Sequence, residues 1–171
     1  MIQETNSIEK FWSILTRTDV LWFSFVAYAV LTLSFGIVMQ VWDFVIIDEM
    51  FDQAQIRAHI EAMTLEQRSV HALLTSTVDV AYPFAYATFQ AGMAYRYLGR
   101  WGRWIALLSI VCVPVDLLEG FAQVMLLQGN EPYMALKLIA TPVKLALFIP
   151  GFLGALIAVG FAVRQRPQRA D

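Results

Sequence analysis

Apolar residues fill four long stretches of the chain, and short polar segments separate them. A transmembrane helix needs about 20 consecutive, predominantly apolar residues, and each stretch is long enough to supply them. The predicted spans cover residues 20–42, 71–98, 104–127 and 134–163. The pattern therefore predicts an all-α protein, a bundle of four transmembrane helices that forms a single membrane domain over residues 1–171.

The connection between the first two spans, residues 43–70, is the longest and is mostly acidic. Some of its apolar residues repeat at helical spacing: Ile56, Ile60 and Met63. This repeat predicts a short helix that lies on the membrane surface. Thr64 is followed three residues later by Gln67, which is the pattern of a capping box, so the next helix is expected to begin near Leu65.

Basic residues collect at alternate ends of the predicted spans: Lys10, Arg17, Arg96, Arg100, Arg103, Arg164, Arg166 and Arg169. The remaining connections, residues 43–70 and 128–133, carry mainly acidic charge. Loops rich in lysine and arginine stay on the cytoplasmic side of a membrane. We therefore expect both termini and residues 99–103 to be cytoplasmic, and the two acidic connections to face outward.

Composition supports a membrane protein and argues against several other classes. Hydrophobic residues make up 58% of the 171 residues and charged residues 15%, whereas a soluble domain is about one quarter charged. The net charge of −2 argues against a nucleic-acid partner. The sequence has no P-loop, GxGxxG or zinc-binding spacing, so we expect neither a cofactor nor a metal. His59 and His71 lack ligand spacing and are expected to be solvated.

Four ionisable residues lie inside the predicted spans: Asp79, Asp116, Glu119 and Lys144. An ionisable side chain at membrane depth costs about 3 kcal/mol on insertion scales, so such residues face a bundle interior and indicate a functional site. At about 1.5 Å of rise per residue, all four lie at similar depths, and we expect them to meet in one layer. Asp116 and Glu119 are three residues apart, so one helix presents both acids on one face.

Further polar residues extend these faces. On the fourth span the polar stripe consists of Lys137, Thr141 and Lys144. On the second span, Tyr82 and Tyr86 share a face with Asp79, which places their hydroxyls within reach of its carboxylate. The predicted ligand-binding residues are Asp79, Tyr82, Tyr86, Asp116, Glu119, Thr141 and Lys144.

The charges of this predicted site do not balance. Three carboxylates face one deep lysine, so the excess must be protonated or met by a cation. The preferred interpretation is an integral membrane protein that binds or moves a small cationic or amphipathic ligand, or a proton. Asp79, Asp116 and Glu119 would be the acceptors, and Lys144 the internal counter-charge.

Two alternatives stay open. The first is a membrane enzyme acting on a lipid or isoprenoid, in which a carboxylic acid donates a proton and a second carboxylate stabilises the resulting cation. The second is an accessory subunit of a membrane complex, in which the acids and the lysine only fix the register of the helices. The lipid bilayer is the expected partner in each case, and the sequence leaves homo-oligomer formation open.

Three short motifs carry a resemblance to a known group of proteins: Asp79-x-x-Tyr82-Pro83, Asp116-x-x-Glu119 and Thr141-x-x-Lys144. Their order resembles that of a family of small uncharacterised bacterial four-helix integral membrane proteins. The resemblance covers about the last two thirds of the chain, and Gly120 stands where that family commonly has asparagine. It implies the bacterial inner membrane and no particular activity. The plan is also similar to the emopamil-binding, sterol-isomerase type of bundle, where intramembrane acids handle a cation.

Overall fold

The computed structural model describes residues 2–165, and the side chains of residues 7–165. Its elements are α1 (Ile2–Leu15), α2 (Thr18–Trp42), α3 (Gln53–Ala62), α4 (Leu65–Tyr97), α5 (Gly99–Leu127) and α6 (Met134–Arg164), with a 3-10 turn at Glu131–Tyr133. The described range contains no strand, so the predicted all-α class is confirmed there. Arg166 and Arg169 of the predicted basic tail lie outside the described residues.

Three helical segments of the described chain are long and apolar enough to cross a membrane: α2, α5 and the stretch Glu131–Arg164, which contains α6. They are consistent with the predicted integral membrane protein. The second predicted span, residues 71–98, lies largely on α4, which is not among them. α4 begins with the polar residues of the capping box and carries Asp79 in its middle, and both lower its hydropathy.

The predicted capping box sets the start of α4. The backbone N–H of Gln67 donates to Thr64 Oγ1 at 3.1 Å, and the backbone N–H of Thr64 donates to Gln67 Oε1 at 2.9 Å. The helix begins at Leu65, as predicted. Gln67 Nε2 also donates to the carbonyls of Trp42 and Asp43, so this one side chain joins the end of α2 to the start of α4.

The apolar stripe of α3 packs against the rest of unit 2, and its predicted position on the membrane surface stays a prediction. Ile56 is fully buried against Leu126 and Met134. Met63, directly after α3, is buried in a second cluster with Phe44. The apolar area that lipid was expected to cover is therefore covered by neighbouring helices, which satisfies the same hydrophobic driving force.

The loop predicted at residues 99–103 is absent, because α5 already begins at Gly99. Leu98 alone separates α4 from α5, and Gly99 makes the sharp reversal with a φ of 56°, a conformation that favours glycine. Gly102 then lies directly against the backbone carbonyl of Ala94, with no space for a Cβ atom. Two consecutive long helices are thus joined almost without a linker.

The helices fall into two compact units. Unit 1 comprises the described parts of Met1–Ala27 and Leu147–Asp171, together with Ala85–Cys112. Unit 2 comprises Tyr28–Phe84 and Val113–Ala146. Each of α2, α4, α5 and α6 contributes residues to both units. The single domain inferred from the sequence stays a prediction.

Candidate functional site

Four carboxylates and two lysines gather in unit 2: Asp48, Asp79, Asp116, Glu119, Lys137 and Lys144. We refer to this group as the charged site. The helices supply five of its residues, and the connection between α2 and α3 supplies Asp48. Glu119 and Lys137 are fully buried, while the side chains of Lys144 and Asp48 are 12% and 17% exposed.

Lys144 lies at the centre of the charged site. Its Nζ is 3.2 Å from Asp48 Oδ2 and 3.2 Å from Asp116 Oδ1, and it also contacts Glu119 Oε2. Asp116 and Glu119 reach the same ammonium group because they occupy one face of α5, as their spacing predicted. One lysine on α6 therefore holds acids from α5 and from the connection before α3.

Lys137 is the second cation of the charged site, and its hydrogen bonds join the connection between α2 and α3 to α6. Its Nζ is 3.3 Å from Glu119 Oε1 and donates to Thr141 Oγ1 at 2.7 Å. It also donates to the backbone carbonyls of Asp48 and Met50, at 3.2 and 3.1 Å. The hydroxyl of Thr141 in turn donates to Glu119 Oε1. Lys137 is thus buried with oxygen partners around its ammonium group, which is the condition under which a buried charge is tolerated.

Asp79 stands apart from these pairs. It is 8% exposed, and it makes no hydrogen bond or ion pair with any residue in the described part of the chain. Its Oδ2 lies beside Gly120, where an added Cβ would come within 3.3 Å. Glycine at this position therefore makes room for the Asp79 carboxylate next to the acidic face of α5.

Asp48 lies outside the helices, and its ionisation depends on the lysines. Burial raises the pKa of Asp48, but the positive charges of Lys144 and then Lys137 outweigh this effect and hold the pKa below its ordinary value. Asp48 is therefore a carboxylate at neutral pH. The connection before α3 brings this fixed negative charge to the two lysines of α6.

Acidification is expected to destabilise the protein through Asp48. A carboxylate with a lowered pKa in the folded state stabilises the fold above the unfolded value of about 3.9, and the stabilisation is lost as pH falls through the folded pKa. The Asp48→Asn variant should therefore lose less stability than wild type between neutral pH and pH 3. Thermal melting in detergent across this range measures the difference.

The matched control is Glu49→Gln, an exposed acid in the same connection. It should follow the wild-type pH profile. If Asp48→Asn also follows the wild-type profile, the contact of Asp48 with the lysines contributes nothing to stability.

Two further buried polar side chains in unit 2 have no hydrogen-bond partner among the described residues. His71 is fully buried beside Phe44, with ring centroids 5.1 Å apart, and neither ring nitrogen has a hydrogen-bond partner. The prediction of a solvated His71 is therefore wrong, because the connection after α2 covers the start of α4. Gln123 is one turn from Glu119 on α5, and both atoms of its amide group are unpaired. Buried groups of this kind normally bond to water or to a ligand.

The two tyrosines make contacts other than those predicted. The Tyr82 hydroxyl lies 3.2 Å from Thr32 Oγ1 on α2. Tyr86 belongs to unit 1, where its hydroxyl lies 3.2 Å from Cys112 Sγ. Sharing a helical face with Asp79 did not bring either hydroxyl to that carboxylate, because closer polar partners lie on α2 and α5.

Sequence reasoning missed two members of the charged site. Asp48 was one of several acids in a long connection, and nothing in its spacing separated it from the others. Lys137 was not among the predicted ligand-binding residues, although the polar stripe that it forms with Thr141 and Lys144 was a usable signal. The structure brings Asp116, Glu119, Thr141 and Lys144 together as expected.

Comparison with known proteins finds no match to this chain among family models, curated proteins or solved structures. The class of protein is therefore defined by the fold and the site alone. Over residues 2–165 the chain is all-helical, with three candidate membrane spans and a buried group of carboxylates and lysines.

Proposed function

We propose that the chain crosses the membrane four times, with α4 as a span in addition to α2, α5 and α6. In unit 2, Arg57 Nη2 of α3 lies 2.7 Å from Glu131 Oε2, so the connection that contains α3 and the connection after α5 share one side. If α5 crosses the membrane, its start at Gly99 is on the opposite side. α4 begins next to α3 and ends next to Gly99, so it must cross as well.

The dimensions and charges of α4 support this proposal. At about 1.5 Å per residue, its 33 residues extend about 50 Å, which exceeds the membrane core of about 30 Å. At its end, Arg96 Nη1 donates to the carbonyl of Thr16 and to Thr18 Oγ1, which holds this end beside the start of α2. The basic residues there favour the cytoplasmic side, and the resemblance favours the bacterial inner membrane.

Labelling of single cysteines is expected to distinguish a topology with four spans from one with three. In a Cys112→Ala background, Gln53→Cys and Asn130→Cys should react from the outer side and Trp101→Cys from the cytoplasmic side. These positions are exposed, and Trp101 is preferable to Gly102, which has no space for a side chain. Reaction of Gln53→Cys and Trp101→Cys from the same side would show that α4 does not cross.

We propose that the charged site binds a small cation, either an organic or amphipathic cation or a proton, and that the protein binds or moves this cation across part of the membrane. One observation carries the proposal: the described site contains four carboxylates and only two lysines. Two negative charges therefore lack a fixed counter-charge. An uncompensated buried charge is too costly to persist, so protons or a bound cation must neutralise the excess.

Asp79 is the proposed acceptor of the cation. Lys144 engages Asp48, Asp116 and Glu119, whereas Asp79 lacks an ion pair in the described range. The fixed charges of the lysines hold the other acids in place and leave this carboxylate available. The unpaired Gln123 amide could supply a further polar contact to the bound species.

The Asp79→Asn variant is expected to fold normally and to lose the cation response. Wild type in detergent is titrated with tetramethylammonium, choline and guanidinium chloride, each against sodium chloride at equal ionic strength. A cation at about 100 times its dissociation constant should stabilise wild type by about 2.7 kcal/mol. Asp79→Asn should show no such shift, and without the cation it should be about as stable as wild type, because the substitution breaks no ion pair or hydrogen bond in the described range.

Proton movement is tested with the protein reconstituted in liposomes that contain a pH-sensitive dye. Wild type should transmit an imposed pH gradient, and Asp79→Asn should not. The control in both assays is Glu49→Gln, which removes an exposed acid from the same unit. The proposal is wrong if wild type responds to none of the cations and passes no protons, or if Asp79→Asn responds as wild type does.

One observation favours a second candidate, the accessory subunit. Lys144 touches three carboxylates directly, and such contacts would by themselves fix the register of α5 and α6. This candidate leaves Asp79 without a role, and the Asp79→Asn titration therefore distinguishes it from a cation site. Acid catalysis on a lipid or isoprenoid stays a prediction from the sequence.

A further inference from the structure

Unit 1 contains a half-open cleft of about 560 Å³ between α2, α4 and α6. Its walls are largely apolar and include Leu21, Phe25, Phe89, Met93, Val159 and Val163. Among the described lining residues, Arg96 carries the only charge. The cleft therefore combines a long apolar surface with one cation, and no lining carboxylate neutralises that cation.

The guanidinium of Arg96 is held in a defined position. Nη1 donates to the carbonyl of Thr16 at 3.1 Å and to Thr18 Oγ1 at 2.9 Å, and Cζ lies 5.3 Å from the centroid of the Tyr97 ring. Nε and Nη2 make no hydrogen bond with any residue in the described range. These two nitrogens present N–H groups in the fork that binds two oxygens of a phosphate.

We propose that this cleft binds a phospholipid with an anionic headgroup. The phosphate accepts hydrogen bonds from Nε and Nη2 of Arg96, and one acyl chain lies along the apolar walls. The occupant is a lipid because most of the lining is apolar and fits an acyl chain, which a free phosphate lacks. The headgroup is anionic because the described lining contains no acid that could accept the cation of a zwitterionic headgroup.

Native mass spectrometry of the full chain tests this site with two lipids that share the same acyl chains, palmitoyl-oleoyl phosphatidylglycerol and phosphatidylcholine. Wild type should retain the phosphatidylglycerol about fivefold better, as expected for one basic residue at the headgroup. The Arg96→Gln variant should lose this preference. The matched control is Arg100→Gln, which removes the same charge from a residue beside Trp101 and outside the cleft lining. It should keep the preference within about twofold.

A second variant tests the apolar wall and does not depend on Arg96. Ala162 lines the cleft, and Ala162→Trp should fill it and reduce retention of both lipids while Arg96 stays in place. This variant keeps the test informative if Arg96→Gln folds poorly after losing its contacts with Thr16 and Thr18. Equal retention of the two lipids by wild type, equal behaviour of Arg96→Gln and Arg100→Gln, or full lipid retention by Ala162→Trp would each overturn the proposal. Competition by millimolar inorganic phosphate would instead indicate a site for free phosphate and would also overturn it.

Discussion

The Lys144→Met variant is expected to lose about 3–5 kcal/mol of stability, the cost of breaking a buried ion pair from one side. Lys144 contacts Asp48, Asp116 and Glu119, so its removal leaves several buried carboxylates without their shared counter-charge. This loss should exceed that caused by neutralising any single acid of the charged site. Chemical or thermal unfolding in detergent measures it.

The rescue variant is Lys144→Met combined with Asp116→Asn, which should recover much of the lost stability. Asp116 is the better choice because Glu119 is also the partner of Lys137. Lys10→Met, which removes an exposed lysine from α1, is the control and should change stability by less than about 0.5 kcal/mol. If Lys144→Met melts as the Lys10 control does, the ion pairs of the site do not support the fold.

The same rescue variant distinguishes the functions. If the charged site binds a cation, the double variant should fold but respond more weakly to cations, because Lys144 no longer holds the other acids in place beside Asp79. If the charged site only fixes the register of the helices, the double variant should keep whatever activity the protein has. A folded double variant with wild-type cation response would therefore show that Lys144 and Asp116 have no part in cation binding.

The Lys137→Met variant is expected to release the connection before α3, with a loss of about 3–5 kcal/mol. Lys137 is buried and donates to the carbonyls of Asp48 and Met50 while it pairs with Glu119. Without it, two carbonyls and a carboxylate lose a charged donor. Limited proteolysis should cut residues 43–52 much faster than in wild type, and unfolding should show the lower stability.

Arg57→Gln is the matched control for Lys137→Met. It removes a cation that also links two connections of unit 2, but its ion pair with Glu131 is about half exposed. Exposed pairs contribute at most about 1 kcal/mol, so proteolysis and stability should stay near wild type. Equal cleavage of both variants would mean that the buried ammonium group does not hold the connection.

The helices were predictable because their ends depend on local chemistry. Thr64 and Gln67 are close in sequence and form the capping box regardless of the rest of the fold, so the start of α4 at Leu65 was correct. The residues that cover the apolar stripe of α3 were not predictable in the same way. Whether Ile56 meets lipid or another helix depends on how the connection folds back, which the helical spacing does not encode.

The residues of the charged site likewise differ in how far the sequence predicts their positions. Asp116 and Glu119 share a helical face, and so do Thr141 and Lys144. The spacing of each pair was therefore sufficient to predict that these faces of α5 and α6 meet. Asp48 reaches the site through an irregular segment, where neighbouring acids have equivalent patterns. Residues on regular helices can therefore be placed from the sequence, whereas a residue contributed by a connection requires the structure.

The pairing of α5 with α6 has a consequence for biogenesis. The inward-facing charges of these consecutive helices are Asp116 and Glu119 on one and Lys137 and Lys144 on the other, so the hairpin is electrically neutral by itself. A lone helix with two ionised groups enters lipid at a cost of about 3 kcal/mol for each group. The insertion machinery should therefore release α5 and α6 together as one neutral hairpin, after the segments that carry Asp48 and Asp79 have been synthesised.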